Sequence, residues 1–291
     1  MTVGNFDGVH LGHQELLRLC LDEARHEGWV PAILTFDPHP ASVVSAKGAP
    51  PRIQTRASME RQLREHGVQE IATLRFDEAI ARLSPAEFVD RVLVAALKVE
   101  AVIVGDDFRF GAHRSGDAGL LRELGRGRFR VIEAPPVIVG AERVSSSRVR
   151  AALAAGDLEA AASLLGRRYE VESVVVHGDH RGRELGYPTA NLALDGISAL
   201  PSGIYAADAF IDGEGPARRA AVSFGVRPTF DGQDFRLEAY IIDFDGDLYG
   251  RVLRLVFLAR LRDEERFPSV EALREQIGRD VAAARDLASP P

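Results

Sequence analysis

Gly4-Asn5-Phe6-Asp7-Gly8-Val9-His10-Leu11-Gly12-His13 is the stretch on which the fold turns. It follows a three-residue run, Met1-Thr2-Val3, and opens a helical pattern through Leu16-Leu17-Arg18-Leu19-Cys20-Leu21. A strand that turns through glycines into a helix begins a βαβ unit. Glycines at 4, 8 and 12 let backbone approach a phosphate closely. His10 and His13, three apart, project from one side of the helix's first turn. Imidazoles there, with backbone N–H groups and the positive end of a helix dipole, suit the oxygens of a triphosphate. The blander reading is a helix cap with surface histidines, and the glycine bracketing argues against it. The spacing would also serve a zinc pair, but no third ligand recommends itself.

Downstream, apolar runs alternate with helical patterns. Ile33–Phe36, Ile71–Leu74 and Ala101–Val104 read as strands, with Val131-Ile132 as another. Ser58 to His66 reads as a helix, and so does Pro85 to Val99, opened by Ser84 as N-cap with Pro85 in its first turn. Fully apolar strands separated by helices predict a buried parallel sheet. Arg150 to Leu165 reads as two short helices around Gly156-Asp157. From Tyr169 the pattern changes: Val171–Val176, Gly203–Ala206, Ala220–Ser223, Leu237–Phe244 and Val252–Leu258 are strand-like, separated by Gly, Pro and Asp turns. One helix closes the chain from Ser269 to about Ala284, and the Ala/Pro-rich tail after Asp280 is expected to fray. The reading is an α/β domain over 1–166 and an antiparallel β-barrel with a closing helix over 167–291.

The bulk numbers agree with two globular domains. The chain has 291 residues, 46% hydrophobic and 27% charged. Its single cysteine, Cys20, lies in an apolar helical pattern and reads as core; one cysteine excludes an intramolecular disulfide. A formal charge of -7 lacks the basic field of a nucleic-acid binder. No 18-residue apolar run and no leader-like segment stand out, so neither membrane nor nucleic acid is an expected partner, and the cytoplasm is the expected location.

Three more segments carry chemistry in the first half. Phe36-Asp37-Pro38-His39-Pro40 ends a strand. Asp107-Phe108-Arg109-Phe110, also at a strand end, pairs a carboxylate with rings able to stack a flat ligand. Ser145-Ser146-Ser147 before a helix offers hydroxyls, and Arg150 one turn on can reach a phosphate. In the second half, Gly178-Asp179-His180-Arg181-Gly182-Arg183-Glu184-Leu185-Gly186-Tyr187-Pro188-Thr189-Ala190-Asn191 makes a flexible basic loop suited to phosphates. Thr189 and Asn191, two apart in extended chain, point the same way as oxygen ligands for Mg²⁺. Alternation in Leu237–Ile242 puts Glu238 on the face opposite Leu237, Ala239 and Ile241, where a carboxylate can serve as general base.

These strings resemble two known families. The glycine–histidine segment is similar to the signature of the nucleotidylyltransferase superfamily, and in its full length to the FAD synthetase branch. Phe36–Pro40, Gly105–Gly111 and Ser145–Arg150 fit that branch in order, with Ser147 where Thr is usual. The resemblance implies a Rossmann-like domain in which Gly4, Asn5, Phe6, Gly8, Gly12, Ser145, Ser146 and Ser147 bind ATP. His10, His13 and Arg150 would stabilise transfer, and Asp37, His39, Asp107 and Phe110 would bind flavin. The second half resembles riboflavin kinases through Gly182–Leu192, Gly203–Ala206, Gly225–Phe230, Glu238 and Asp243–Gly250, with Arg227 where Asn is frequent. That resemblance implies phosphate binding by Gly178, Gly182, Arg183 and Gly186, Mg²⁺ on Thr189 and Asn191, and Glu238 as base. Together they imply a bifunctional enzyme converting riboflavin to FMN and FMN to FAD with ATP. A nucleotidylyltransferase for another substrate would have no use for the barrel, a tRNA-charging enzyme would need a basic surface, and a non-catalytic flavin binder would not need both phosphate loops.

Overall fold

The structure is a computed structural model that describes residues 1–178, 181–197, 199–229 and 232–287. Asp179, His180 and Phe230 of the quoted motifs, and the side chain of Arg227, lie outside the described residues. The chain forms two compact units, Met1–Pro50 with Met59–Ser145, and Pro51–Ser58 with Ser146–Pro291.

The first unit is built on a five-stranded parallel sheet. The chain passes through β1 (Thr2–Val3), α1 (Leu11–Glu27), β2 (Ala32–Asp37), α2 (Pro40–Val44), α3 (Arg56–Glu65), β3 (Glu70–Arg75), α4 (Glu78–Ala81) and α5 (Pro85–Phe88). It continues through β4 (Ala101–Gly105), α6 (Ala118–Gly125), β5 (Arg130–Ala134) and a hairpin of β6 (Ile138–Val139) and β7 (Glu142–Arg143). The sheet order is β3-β2-β1-β4-β5. Two-residue β1 is central, paired in parallel with β2 and β4. Its neighbours supply the ladder that its own length cannot. The order reverses between β1 and β4, which is where sheets of this kind leave a crevice at the strands' carboxyl ends.

The helix expected from Pro85 to Val99 is only partly α-helical. Ser84 and Glu87 form a reciprocal capping box over α5, as Ser-x-x-Glu spacing favours. Val89–Ala96 then widens into a π-helix, closed by Leu97 N–H on Val92 O at 3.0 Å. The wider turn keeps Val89, Val92 and Leu93 buried against the sheet's core.

In the second unit α7 (Ser146–Ala154) and α8 (Leu158–Leu165) precede the barrel strands β8 (Glu170–Val176), β9 (Ala190–Leu192), β10 (Gly203–Ile211), β11 (Glu214–Thr229), β12 (Gly232–Ile241) and β13 (Val252–Arg262). The strands close in the order β10-β11-β12-β9-β8-β13. Alternate residues fill the interior: Tyr205, Ala207, Ala220, Val222, Leu237, Ala239, Leu253 and Leu255 are all buried, as period-two pleating requires. β12 stops at Ile241, short of the expected Phe244, because Asp243 turns through a left-handed φ of 57°. The Arg181–Glu184 part of the basic loop is a single helical turn, α9.

The closing helix α10 (Val270–Asp286) runs past Asp280 rather than fraying there. Two partly buried contacts explain its length. Asp280 accepts from Arg262 Nε and Nη2 at 2.9 and 2.7 Å. Arg219 Nη1 donates to the carbonyls of Ala284 and Leu287 at 2.9 and 2.6 Å, satisfying oxygens that a helix end leaves open.

Candidate functional site

The glycine–histidine turn stands at the carboxyl end of β1. His10 is the N-cap of α1, its Nδ1 accepting the backbone N–H of His13 at 3.3 Å. That bond places the ring proton of a neutral His10 on Nε2. The two imidazoles stack with centroids 3.7 Å apart and 15° between planes. His10 is buried rather than a surface residue, and His13 is half-buried. Gly12 permits this: a Cβ there would lie 3.2 Å from the His10 ring. Gly4 packs on the Phe6 ring, and Gly8 takes a φ of 91°. Phe6 and Val9 also adopt positive φ, 51° and 37°. For a β-branched residue such as Val9 that conformation is strained, and strain of this kind gathers at ligand-binding turns.

His39 caps α2, its Nδ1 accepting from Ala41 N–H at 3.1 Å, and its Nε2 lies 3.1 Å from the Asn5 side-chain amide. The second contact ties the Phe36–Pro40 loop to the histidine turn. Asp37, at the end of β2, is half-buried. Asp107 is exposed and paired with Arg143 Nη2 at 2.7 Å, while Arg143 Nη1 holds Asp106 at 2.5 Å. Phe110 is in the core against Phe88, and its ring stacks on half-buried Phe108. The more accessible ring of that motif is therefore Phe108. Ser145 ends the first unit, whereas Ser146, Ser147 and Arg150 belong to the second, where Arg150 Nε donates to Pro51 O at 2.7 Å. Arg143 carried no signal in the sequence, because a lone arginine before a serine run looks like any surface cation.

In the barrel, β9 lies against β12 with Asn191 opposite Glu238. Thr189 Oγ1 donates to Glu238 Oε2 at 3.1 Å. The glycines make this approach possible. A Cβ on Gly178 would overlap the Asn191 carboxamide, and one on Gly182 would strike the Tyr187 carbonyl beside Thr189. Gly186 supplies a φ of 86° where the loop turns back.

Two cavities share Thr189. One, of about 650 Å³, is lined by Arg183, Pro188, Thr189 and the Phe244–Tyr249 turn. The other, of about 620 Å³, is lined by Tyr187, Thr189, Glu238, Tyr240, Phe267 and Ile277 among others. Glu238 faces only the second. Tyr187 and Tyr240 meet edge-on across it, centroids 5.3 Å apart. The buried Asp280 carboxylate pushes the Arg262 guanidinium upward from its ordinary value and anchors α10 as that cavity's wall.

The FAD synthetase family model matches residues 1–148, and the riboflavin kinase family model matches residues 165–288. Bifunctional riboflavin kinase/FMN adenylyltransferases are similar over nearly the whole chain. The protein of Pseudomonas fluorescens is 42% identical over 99% of this chain and 93% of its own. That of Escherichia coli K12 is 39% identical over 99% and 92%, and that of Bacillus subtilis 32% over 98% and 90%. A crystal structure from Streptococcus pneumoniae, described as a macrolide-efflux protein, superposes with a TM-score of 0.82 at 34% identity, covering 99% of this chain and 94% of that one. Efflux is that protein's description; among the described residues here, no helix is long and apolar enough to cross a membrane. By these matches, and with a parallel α/β unit followed by a closed barrel in the same order, the chain belongs to the bifunctional riboflavin kinase/FMN adenylyltransferase family.

Proposed function

We propose that the two cavities meeting at Thr189 are the substrate sites of riboflavin phosphorylation, with riboflavin in the one that Glu238 faces and ATP in the other. The hydrogen bond from Thr189 to Glu238 carries this reading. A hydroxyl that donates to a carboxylate keeps its lone pairs for a ligand on its other side. The Glu238 cavity has aromatic and aliphatic walls suited to a flavin ring, and the other has Arg183 for phosphates. Thr189 and Asn191 fit Mg²⁺, which takes few protein oxygens and completes its shell with phosphates and water. When bound, the ion would neutralise ATP oxygens. Glu238 takes the proton from the riboflavin 5′-hydroxyl as that oxygen attacks the γ-phosphorus and ADP leaves.

In the other reaction an oxygen of the FMN phosphate attacks the α-phosphorus of ATP and pyrophosphate leaves. The nucleophile is already an anion, so the turn at Gly4–His13 need only position and stabilise charge. His10 and His13, with the backbone at Gly8 and Gly12, bind phosphate oxygens, and Asn5 is fixed by His39. Asp37, His39 and the Asp107–Phe110 loop bind flavin. Family order assigns Ser145–Ser147 and Arg150 to ATP. The adenylyltransferase domain is 1–166 and the kinase domain 167–291, acting in the cytoplasm.

Two variants of the full chain test the assignment. Glu238→Gln should lower FMN formation roughly 100- to 10,000-fold while FMN-to-FAD conversion persists. His10→Ala/His13→Ala should do the reverse. Near-normal FMN formation by a folded Glu238→Gln protein would rule out Glu238 as base.

A further inference from the structure

In the proposed riboflavin cavity, aromatic and aliphatic walls suit the flavin ring, and Glu238 meets the 5′-hydroxyl. The ribityl 2′-, 3′- and 4′-hydroxyls lie between those two ends, and hydroxyls drawn out of water need partners. The cavity wall holds a further carboxylate in that stretch. Glu264, two residues past the end of β13, lines the cavity together with Ser223 and Glu238. Ser223 lies opposite Glu238 in the β11–β12 ladder. Phe224 fills the barrel interior at 1% exposure, so Ser223 and Gly225 share the outer face. Gly225 leaves room for the Glu264 head, because a Cβ there would overlap Glu264 Oε1. The carboxylate therefore rests beside Gly225, about 7 Å along the strand from Ser223. That is one step along the face from the position of Glu238.

Glu264 also lacks a donor. Among the described residues nothing hydrogen-bonds its carboxylate, and burial pushes the carboxyl up from its ordinary range, against the pull of Arg262. The Arg262 fork is committed elsewhere: Nε and Nη2 donate to Asp280, and Nη1 donates to the Asp263 carbonyl at 2.8 Å. A carboxylate is an acceptor only, with capacity for several donors at once.

We propose that Glu264 is a specificity-determining residue of riboflavin phosphorylation, accepting hydrogen bonds from the ribityl hydroxyls and so selecting flavins that carry a polyhydroxylated side chain. The inference rests on reading the Glu238 cavity as the riboflavin site. The flavin ring offers one donor, N3–H, on its edge remote from the reacting hydroxyl. The ribityl chain offers three next to that hydroxyl, and the place of Glu264 one step from Glu238 matches the chain.

The test is phosphorylation by the full-length chain of three flavins: riboflavin, N3-methylriboflavin, and an analogue with a 5-hydroxypentyl group on N10. The last keeps the hydroxyl that is phosphorylated and lacks the other three. The native chain should use it roughly 10- to 100-fold less well than riboflavin, as kcat/KM. Glu264→Ala should lower kcat/KM for riboflavin and for N3-methylriboflavin by a similar factor, and should leave the hydroxypentyl flavin within about twofold. That retained rate reports a folded barrel. Glu264→Gln keeps an acceptor without the charge and should fall between. Gly225→Ala displaces the carboxylate without removing it and should show the same pattern, smaller in size. An equal loss on all three flavins, no loss on riboflavin, or a loss on riboflavin that N3-methylation abolishes would each overturn the inference, as would a native chain indifferent to the missing hydroxyls. If Glu238→Gln also keeps near-normal FMN formation, the reading of the cavity fails with it; if that variant is inactive, only the role of Glu264 fails.

Discussion

Thr189 lines both cavities of the barrel unit. Its hydroxyl gives Glu238 one donor and keeps lone pairs for the neighbouring cavity, so Thr189→Val should damage the kinase in two ways at once, while Thr189→Ser should retain most activity. We expect Thr189→Val to lower the FMN formation rate by at least tenfold with FMN adenylylation unchanged; a rate equal to the Ser variant would show that the hydroxyl is dispensable. The proposed Mg²⁺ ligands are neutral, and this has a thermodynamic consequence. Without phosphates to complete its shell the ion has little to hold it. Mg²⁺ alone should leave the melting temperature unmoved, and Mg²⁺ with ATP should raise it through linkage. A clear shift with Mg²⁺ alone would point to a charged protein site instead. Asp280 belongs to this scale as well: its buried pair with Arg262 means that Asp280→Ala strands a cation, at a cost of about 3 kcal/mol, measurable by urea denaturation.

At the scale of elements, α8 shows how a connection can belong to the fold it leads into. Leu158, Ala161, Leu164 and Leu165 are buried, and the helix packs on β13. The segment before α3 also serves the barrel: Thr55 Oγ1 donates to Glu172 O at 2.8 Å, and Tyr169 donates its hydroxyl to Ile53 O at 2.9 Å. A fragment starting at Arg167 keeps the barrel's own closed ladder and both of its cavities, but exposes the apolar face that α8 covers. It should phosphorylate riboflavin yet melt roughly 5 °C or more below a fragment starting at Ser146. Equal melting temperatures would show that α7 and α8 add nothing to the barrel.

For the whole molecule, the proposed assignment gives the two reactions separate residue sets, with FMN as product of one and substrate of the other. A mixture of Glu238→Gln and His10→Ala/His13→Ala proteins should therefore convert riboflavin to FAD, although neither does so alone. Released FMN would pass through solution, so the mixture's rate should fall on dilution more steeply than that of the native chain at the same total concentration. Failure of the mixture, with each protein retaining its remaining activity on supplied substrate, would mean that FMN does not leave the molecule that makes it.

Periodicity and turn residues are local, and what they determine was legible. The parallel sheet, the barrel alternation around Glu238, the capping box at Ser84 and the placing of His10 and His13 at a strand-to-helix turn all follow from neighbours within a few positions. The Thr189–Asn191 loop and Glu238 could be named, but the bond between them, across 49 residues, is made only when β9 pairs with β12. Other features depend on distant partners in the same way. The π-helix at Val89–Ala96 widens where its apolar residues meet the sheet, and α10 outlasts its Ala-rich sequence because Arg219 binds its last carbonyls. Phe110 reads as a stacking surface in its motif, yet it lies in the core beneath Phe108. Arg143 gains its setting from a hairpin that sets it against Asp106 and Asp107, 36 residues away at the closer pair. Sequence alone determined the two architectures and named the residue types of their candidate sites, because those depend on local pattern; tertiary structure decided which side chains meet, because long-range packing chooses partners that spacing along the chain cannot specify.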